Sequence, residues 1–211
     1  MSKDKISIVI PCFNEANRLS KRKYRLFLSK TSKVKICFVN DGSTDKTAEM
    51  IQELKKIFPT KVFLISLKKN QGKAIAVFTG FNFIIKNHDC EKIAYLDADL
   101  ATSLEECNRI SKYLTGKIHM AFGSRILKLD NNIQRKWYRF FIGRIIATLI
   151  SKILKTSIYD SQCGCKVFNK KLASKVFNKQ FISKWLFDVE IFFRLIKIYG
   201  NNEIKNYIKE I

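Results

Sequence analysis

The chain has 211 residues, 46% of them hydrophobic and 12% aromatic, which suits one folded domain with a full core and excludes a disordered or low-complexity chain. Its formal charge of +22 admits nucleic acid, an anionic membrane or phosphorylated substrates as partners, although AT-biased codons alone would also enrich Lys, Asn, Ile and Phe. No apolar stretch reaches the roughly 20 residues of a transmembrane helix, and the charged N-terminus enters a strand at once, so neither a span nor a signal peptide is expected.

In chain order, Ile6–Ile10 reads as a strand and Glu15–Ser29 as a helix. Lys35–Val39 is a second strand, closed by Asn40-Asp-Gly-Ser-Thr-Asp45, whose Ser43, Thr44 or Asp45 would cap a helix running to about Phe58. Lys61–Ser66 is a third strand, Lys73–Lys86 a helix and Lys92–Asp97 a fourth strand. Such βαβ alternation predicts a parallel, doubly wound sheet with helices on both faces. Leu104–Leu114 looks helical and Ile118–Gly123 like a further strand. An apolar and basic segment then runs from Gln134 to Leu154. After it come Asp160–Phe168, a helix near Lys171–Phe177, a helix from about Asp188 to Tyr199, and a possible short strand within Glu203–Ile211.

Six cysteines, Cys12, Cys37, Cys90, Cys107, Cys163 and Cys165, form no Cys-x-x-Cys pair, and His88 and His119 lie apart from them. Buried free thiols in a reducing compartment are expected, and a zinc site is not.

The chemistry concentrates in the loops after the strands, the edge where open parallel sheets bind ligands. Ile93-Ala-Tyr-Leu-Asp-Ala-Asp-Leu100 ends in two carboxylates at i and i+2, which strand alternation places on one face. With no lysine nearby to pair with them, Asp97 and Asp99 suit a divalent cation carrying a diphosphate; a solvated turn is the plainer alternative. Asn14 and Glu15 follow the first strand. Asp41, beside Gly42, either accepts a nucleobase N–H or serves a helix cap. Asn70-Gln-Gly-Lys73 lacks the spacing of a phosphate-cradling P-loop, and Arg125 in Gly123-Ser-Arg125 is placed for a phosphate contact.

Taken in order, Val9-Ile-Pro-Cys-Phe-Asn-Glu15, Val39-Asn-Asp-Gly-Ser-Thr-Asp45, Asn70-Gln-Gly-Lys73, Leu96-Asp-Ala-Asp99 and Gly123-Ser-Arg125 resemble the family-2 glycosyltransferases of the GT-A fold. Asp160-Ser-Gln-Cys-Gly-Cys-Lys166 and Trp185-Leu-Phe-Asp-Val-Glu190 resemble the branch that glucosylates dolichyl or polyprenyl phosphate, the dolichyl-phosphate β-glucosyltransferases. The resemblance covers nearly the whole chain. It implies one α/β domain over residues 1–211: a Rossmann-like, mostly parallel sheet flanked by helices. Residues 1–127 would bind the nucleotide-sugar, and residues 128–211 would form an acceptor-side helical segment.

The same resemblance implies the roles. Pro11, Asn14, Glu15, Asp41, Lys73 and Asp97 would bind the nucleotide, with Asp41 holding the uracil. Asp99, with Asp97, would ligate Mg2+ or Mn2+. Asp99, Arg125, Asp188 and Glu190 form the catalytic set, the last two positioning donor hydroxyls or acting as base. A phosphate acceptor is already anionic and needs cations rather than a base, for which Arg125, Arg135 and Arg139 are the candidates. Asp160, Gln162 and Lys166 either contact substrate or form a loop network that closes the site.

The expected reaction is inverting, metal-dependent transfer of a hexose, glucose from UDP-glucose, to dolichyl or polyprenyl phosphate. The alternatives are transfer to a glycan or protein hydroxyl, or a basic nucleic-acid-binding protein. Carboxylate-lined strand ends oppose the last, so no nucleic acid is expected. The Trp137–Leu154 segment is either a helix packed on the sheet or, as favoured here, an interfacial helix delivering the lipid phosphate. A cytoplasmic protein in peripheral contact with an anionic membrane follows. Three departures stand out. The N-terminal anchor of eukaryotic relatives is missing, the chain stops at Ile211, and Cys165 replaces an aromatic. Ala101 stands where the mannosyl-transferring branch tends to carry glutamine, which favours glucose.

Overall fold

The computed structural model describes residues 5–124, 160–184 and 186–211. Strands β1 (Ile6–Cys12), β2 (Val34–Asn40), β3 (Val62–Ser66) and β4 (Lys92–Leu96) alternate with helices α1 (Lys21–Lys30), α2 (Thr47–Ile57) and α3 (Lys73–Asn87). Helix α4 (Leu104–Ser111) leads to β5 (Met120–Phe122). The later described chain supplies β6 (Cys165–Asn169), α5 (Lys170–Val176), α6 (Phe187–Tyr199), a single 3-10 turn at Ile204–Asn206 and β7 (Ile208–Glu210).

These strands form one sheet in the order β3-β2-β1-β4-β6-β5-β7. The pairings β2–β3, β1–β2, β1–β4 and β5–β7 are parallel, whereas β6 runs antiparallel to both of its neighbours, β4 and β5. Val62, Ile36, Ile8, Ala94, Val167 and Ala121 therefore stand in one row across the sheet. Alternation then divides the β-branched and aromatic side chains between two cores. Ile8, Ile10, Phe38, Ala94 and Leu96 face α1, α2 and α4, and Val9, Val39, Ile93 and Tyr95 face α3, α5 and α6.

The mostly parallel architecture agrees with the sequence reading, and three details correct it. The expected helix over Glu15–Ser29 begins only at Lys21, because the chain before it is held by side chains of the β2–α2 loop. There Ser43 Oγ accepts from Asn14 N at 3.0 Å, Thr47 Oγ1 from Glu15 N at 2.8 Å, and Asp45 Oδ2 from Ala16 N at 3.0 Å. The fourth strand stops at Leu96, one residue before Asp97. Strand β6 was not expected at all within Asp160–Phe168. All six cysteines are buried free thiols. Among the described residues no helix is long and apolar enough to cross a membrane.

Helix α3 lies against the sheet through Gly80. A Cβ there would stand 2.4 Å from Val9 Cγ1 and 3.0 Å from Val39 Cγ2, and β-branched strand side chains have little freedom to yield. Although alanine is the better helix former by about 1 kcal/mol, Gly80→Ala is expected to lower stability by about 1–3 kcal/mol. The midpoint of urea unfolding checks it.

Candidate active site

The C-terminal ends of the parallel strands open into a cleft of about 390 Å3. Pro11, Phe13, Glu15, Arg18, Asp41, Asn70, Lys73, Asp97 and Asp99 are among the residues that line it. Residues from four separate stretches of sequence therefore meet at one edge, as an open α/β sheet dictates.

Asp41 is buried at the end of β2, and its carboxylate receives two backbone N–H groups, Gln71 N on Oδ1 and Gly72 N on Oδ2, both at 2.8 Å. These bonds clamp the β3–α3 loop onto the β2 end. Gly42 makes the approach possible: its φ is +70°, and a Cβ there would lie 2.5 Å from the Lys69 carbonyl carbon. Asn14 adopts φ +52° and accepts from Thr44 N at 2.9 Å, so its side chain stitches two loops together and does not line the cleft.

Asp97 and Asp99 sit in a turn beyond β4, closed by Leu100 N donating to Asp97 O at 3.1 Å, with Leu100 at φ +53°. This turn, rather than strand alternation, aims the two carboxylates. The expectation that no lysine pairs with them is overturned. Lys73, from the first turn of α3, stands with Nζ 2.6 Å from Asp97 Oδ1. Its ammonium also lies 5.6 Å from the Tyr95 ring centroid and 5.8 Å from that of Phe187. On the other side, Gly164 receives Asp97 N on its carbonyl at 3.0 Å, and a Cβ there would fall 2.1 Å from Asp97 Oδ2. Asp99 Oδ1 accepts from Ala101 N at 3.0 Å and is otherwise exposed.

Glu15 adds a third acid. Arg18 holds its Oε1 at 2.6 Å, while its Oε2 is buried without a hydrogen-bond partner. Burial pushes the Glu15 carboxyl above its ordinary range; the Arg18 pair pulls against that, and repulsion from Asp99 and Asp97 adds to it.

Beside the cleft lies a buried ion pair. Lys166 is wholly buried in β6 and spends its three N–H donors on Asp188 Oδ1 at 2.5 Å, Tyr95 Oη at 2.7 Å and Cys163 O at 2.9 Å. The Tyr95 hydroxyl in turn donates to Asp188, and burial together with the adjacent Asp188 carboxylate keeps that phenol protonated. Glu190, the other acid of α6, is engaged elsewhere. Its Oε1 receives Arg194 Nη2 at 2.8 Å, and its Oε2 accepts from Ile182 N at 2.9 Å and Ser183 N at 3.3 Å.

Of the sequence-predicted residues, the structure thus brings Pro11, Glu15, Asp41, Lys73, Asp97 and Asp99 to the cleft. Neither Asp188, tied to Lys166, nor Glu190 is among the lining residues. Arg125, Arg135, Arg139 and the Trp137–Leu154 segment lie outside the described residues. Asn70, Tyr95 and Gly164 stand inside the motifs quoted above but were given no role of their own, and Arg18 was missed. Its signal was its place three residues after Glu15, the spacing of an ion pair on a helical turn.

Residues 7–177 match the protein family described as Glycosyl transferase family 2. The chain belongs to glycosyl transferase family 2. Among curated proteins, dolichyl-phosphate beta-glucosyltransferase of Mus musculus is 30% identical over 204 residues, covering 89% of this chain and 62% of that protein. The undecaprenyl-phosphate 4-deoxy-4-formamido-L-arabinose transferase of Proteus mirabilis is 28% identical over 172 residues, covering 80% of this chain and 50% of the other. The chain therefore spans about three-fifths of the length of the dolichyl-phosphate relatives it matches. Among solved structures, glucosyl-3-phosphoglycerate synthase of Mycobacterium tuberculosis with Mn2+, UDP and phosphoglyceric acid superposes with a TM-score of 0.69 at 14% identity, over 98% of this chain and 68% of that one. A mannosyltransferase of Pyrobaculum calidifontis with GDP-mannose and Mn2+ gives 0.61 at 14% identity, over 100% of this chain and 55% of the other. The fold of this family-2 member is GT-A.

The residues present fit a divalent cation. Asp97, Asp99 and Glu15 offer only hard oxygen donors, and Glu15 Oε2 is buried without a hydrogen-bond partner. No cage of three or more His, Cys, Asp or Glu side chains forms among the described residues.

Two predictions follow the charges. Folding raises the Glu15 pKa above its ordinary value of 4.5, so the ionised carboxylate costs stability as pH climbs through the folded value. Glu15→Gln should raise the neutral-pH Tm above wild type, and the gain should vanish below pH 4.5, in metal-free melts across that range. Lys166→Met strands a buried carboxylate and is expected to cost about 3–5 kcal/mol. Combined with Asp188→Leu it should cost less than the sum of the two single changes, as a double-mutant cycle in urea would read.

Proposed function

We propose that this chain carries an inverting transfer of a hexose, glucose from UDP-glucose, to a polyprenyl phosphate. Names of the relatives support the acceptor class: they act on dolichyl phosphate and undecaprenyl phosphate. The Mn2+ and UDP in a fold neighbour support the donor side.

The observation that carries the acceptor is the commitment of Asp188 and Glu190. A sugar or protein hydroxyl needs a general base to take its proton. The two acids in line for that work are held by Lys166 with Tyr95, and by Arg194 with two backbone N–H groups. Both carboxylates are held by these partners rather than presented to the cleft. A phosphate monoester is ionised at neutral pH and needs no base.

In this reading the uracil enters between Pro11 and Asp41. Each Asp41 oxygen already accepts one loop N–H and keeps a second lone pair for a base N–H. Asp99, with Asp97, would hold Mg2+ or Mn2+, which when bound supplies charge neutralisation for the leaving diphosphate. Lys73 and Arg18, both at the cleft, add fixed positive charge for the diphosphate. Asp188, oriented by Lys166, would help to position the donor sugar. Arg125, Arg135 and Arg139 are the proposed cations for the acceptor phosphate, and phosphate attack from the face opposite the diphosphate yields the β-linked product.

UDP-glucose, GDP-mannose and UDP-GlcNAc, each offered with a polyprenyl phosphate, test the reading directly; UDP-glucose alone should be consumed. Asp99→Asn should reduce turnover on the order of 100-fold or more. It should also abolish the Mn2+-dependent part of UDP binding by calorimetry while leaving the Tm within a few degrees. Full turnover in that variant overturns the metal role, and transfer to a soluble hydroxyl but not to the lipid phosphate overturns the acceptor.

A further inference from the structure

The loop between α5 and α6 carries a feature that neither the cleft nor the family match explains. Ile182 at its tip is 95% exposed, and Leu186 and Phe193 are 46% and 48% exposed. Leu186, Glu190, Phe193 and Lys197 follow one another at i, i+4, i+7 and i+11, so they share one face of α6. Ile182 joins that face because its backbone N–H is bonded to Glu190.

The tip is not exposed because the loop is loose. Glu190 Oε2 accepts from Ile182 N and Ser183 N, and Glu190 Oε1 is paired with Arg194. Arg194 donates further to the carbonyls of Val176 at 2.5 Å, Lys179 at 2.7 Å and Gln180 at 2.7 Å, and its guanidinium lies 4.4 Å from the Phe181 ring centroid. A carboxylate, a guanidinium and five backbone groups thus hold an aliphatic side chain out into solvent. A lone exposed apolar side chain would be ordinary, but Ile182, Leu186 and Phe193 are three exposed apolar side chains on one face, the mark of an interaction surface.

The surroundings select the partner. Lys179 and Lys184 flank Ile182 in exposed positions, and the Lys197 ammonium lies 5.6 Å from the Phe193 ring centroid. The two acids of the loop and helix are silenced, Asp188 by Lys166 and Glu190 by Arg194. Apolar side chains flanked by exposed lysines that make no ion pair among the described residues, on a chain of net charge +22, complement an anionic bilayer surface: the aliphatic groups enter the acyl boundary and the ammonium groups stay at the headgroups. A protein partner is disfavoured, because interface cores exclude lysine and need about 800 Å2 on each side.

We infer that the Ile182 loop, with Leu186 and Phe193, is a rigid membrane-contact element that docks the acceptor side of the domain on anionic lipid. The inference rests on the lipid-phosphate reading of the acceptor, and its test is kept separate from catalysis.

Co-sedimentation would use the full chain with phosphatidylcholine vesicles, with and without phosphatidylglycerol, and with no polyprenyl phosphate present. Wild type should bind the anionic vesicles and release with salt. Ile182→Ser should weaken binding about tenfold or more, and Lys179→Glu with Lys184→Glu should abolish the preference for phosphatidylglycerol. None of these side chains lines the cleft, so transfer to a short, water-soluble prenyl phosphate should stay unchanged in every variant. In a second measurement, Ile182→Cys labelled with an environment-sensitive dye should shift to the blue on vesicles, the six native cysteines being buried. Wild-type vesicle binding with no effect of Ile182→Ser and no dye shift overturns the loop while sparing the proposed reaction. Absence of any vesicle binding overturns it as well. Loss of transfer to every prenyl phosphate with binding intact refutes the reaction and leaves the loop.

Discussion

The wholly buried ammonium of Lys166 is the constraint from which much of the site follows. A charge removed from water has to be paired and its donors filled, and here one carboxylate, one phenol and one carbonyl do both. Those partners come from β4, from the approach to β6 and from the first turn of α6. The pair therefore fixes the one antiparallel strand against the parallel half of the sheet and seats α6 beside the cleft. It also places Gly164 where its carbonyl and its missing Cβ define the position of Asp97.

A second constraint is repulsion. Glu15, Asp97 and Asp99 converge because each follows a parallel strand, and parallel strands deliver their ends to a single edge. Two cations temper the cluster, Arg18 on Glu15 and Lys73 on Asp97; burial nevertheless holds the Glu15 carboxyl above its ordinary range, with repulsion from Asp99 and Asp97 adding to it. An edge of that kind is suited to a ligand that brings positive charge with it, as a metal-borne diphosphate does. Lys73 links the two regions, since its ammonium touches Asp97 while lying over Tyr95 and Phe187, which border the buried pair.

Much of this was legible in the residues. The β-branched runs before Asn14, Asp41 and Asp97 marked both the strands and the loops that would carry chemistry, and Gly42 beside Asp41 marked a close backbone approach. Illegible were features that depend on a partner distant in sequence. Cys165–Asn169 is short and interrupted by a lysine, so it does not read as a buried strand until Asp188 and Tyr95 are beside it. Glu190 reads as a catalytic acid by motif and becomes a loop clamp once Arg194 and the Ile182 amide are seen. The late start of α1 follows from Thr47 and Asp45, some thirty residues further on.

Sequence by itself determined the fold class, the family and the edge at which the acids gather, because periodicity and strand-end motifs are local properties. Tertiary structure alone decided which partner each acid meets. It tied Asp188 to Lys166 and Glu190 to Arg194, and it gave Asp97 the lysine that its own neighbourhood lacks. Pairing is a matter of distance across the fold, and a hydrogen-bond donor removed from water takes whichever acceptor the packing brings to it.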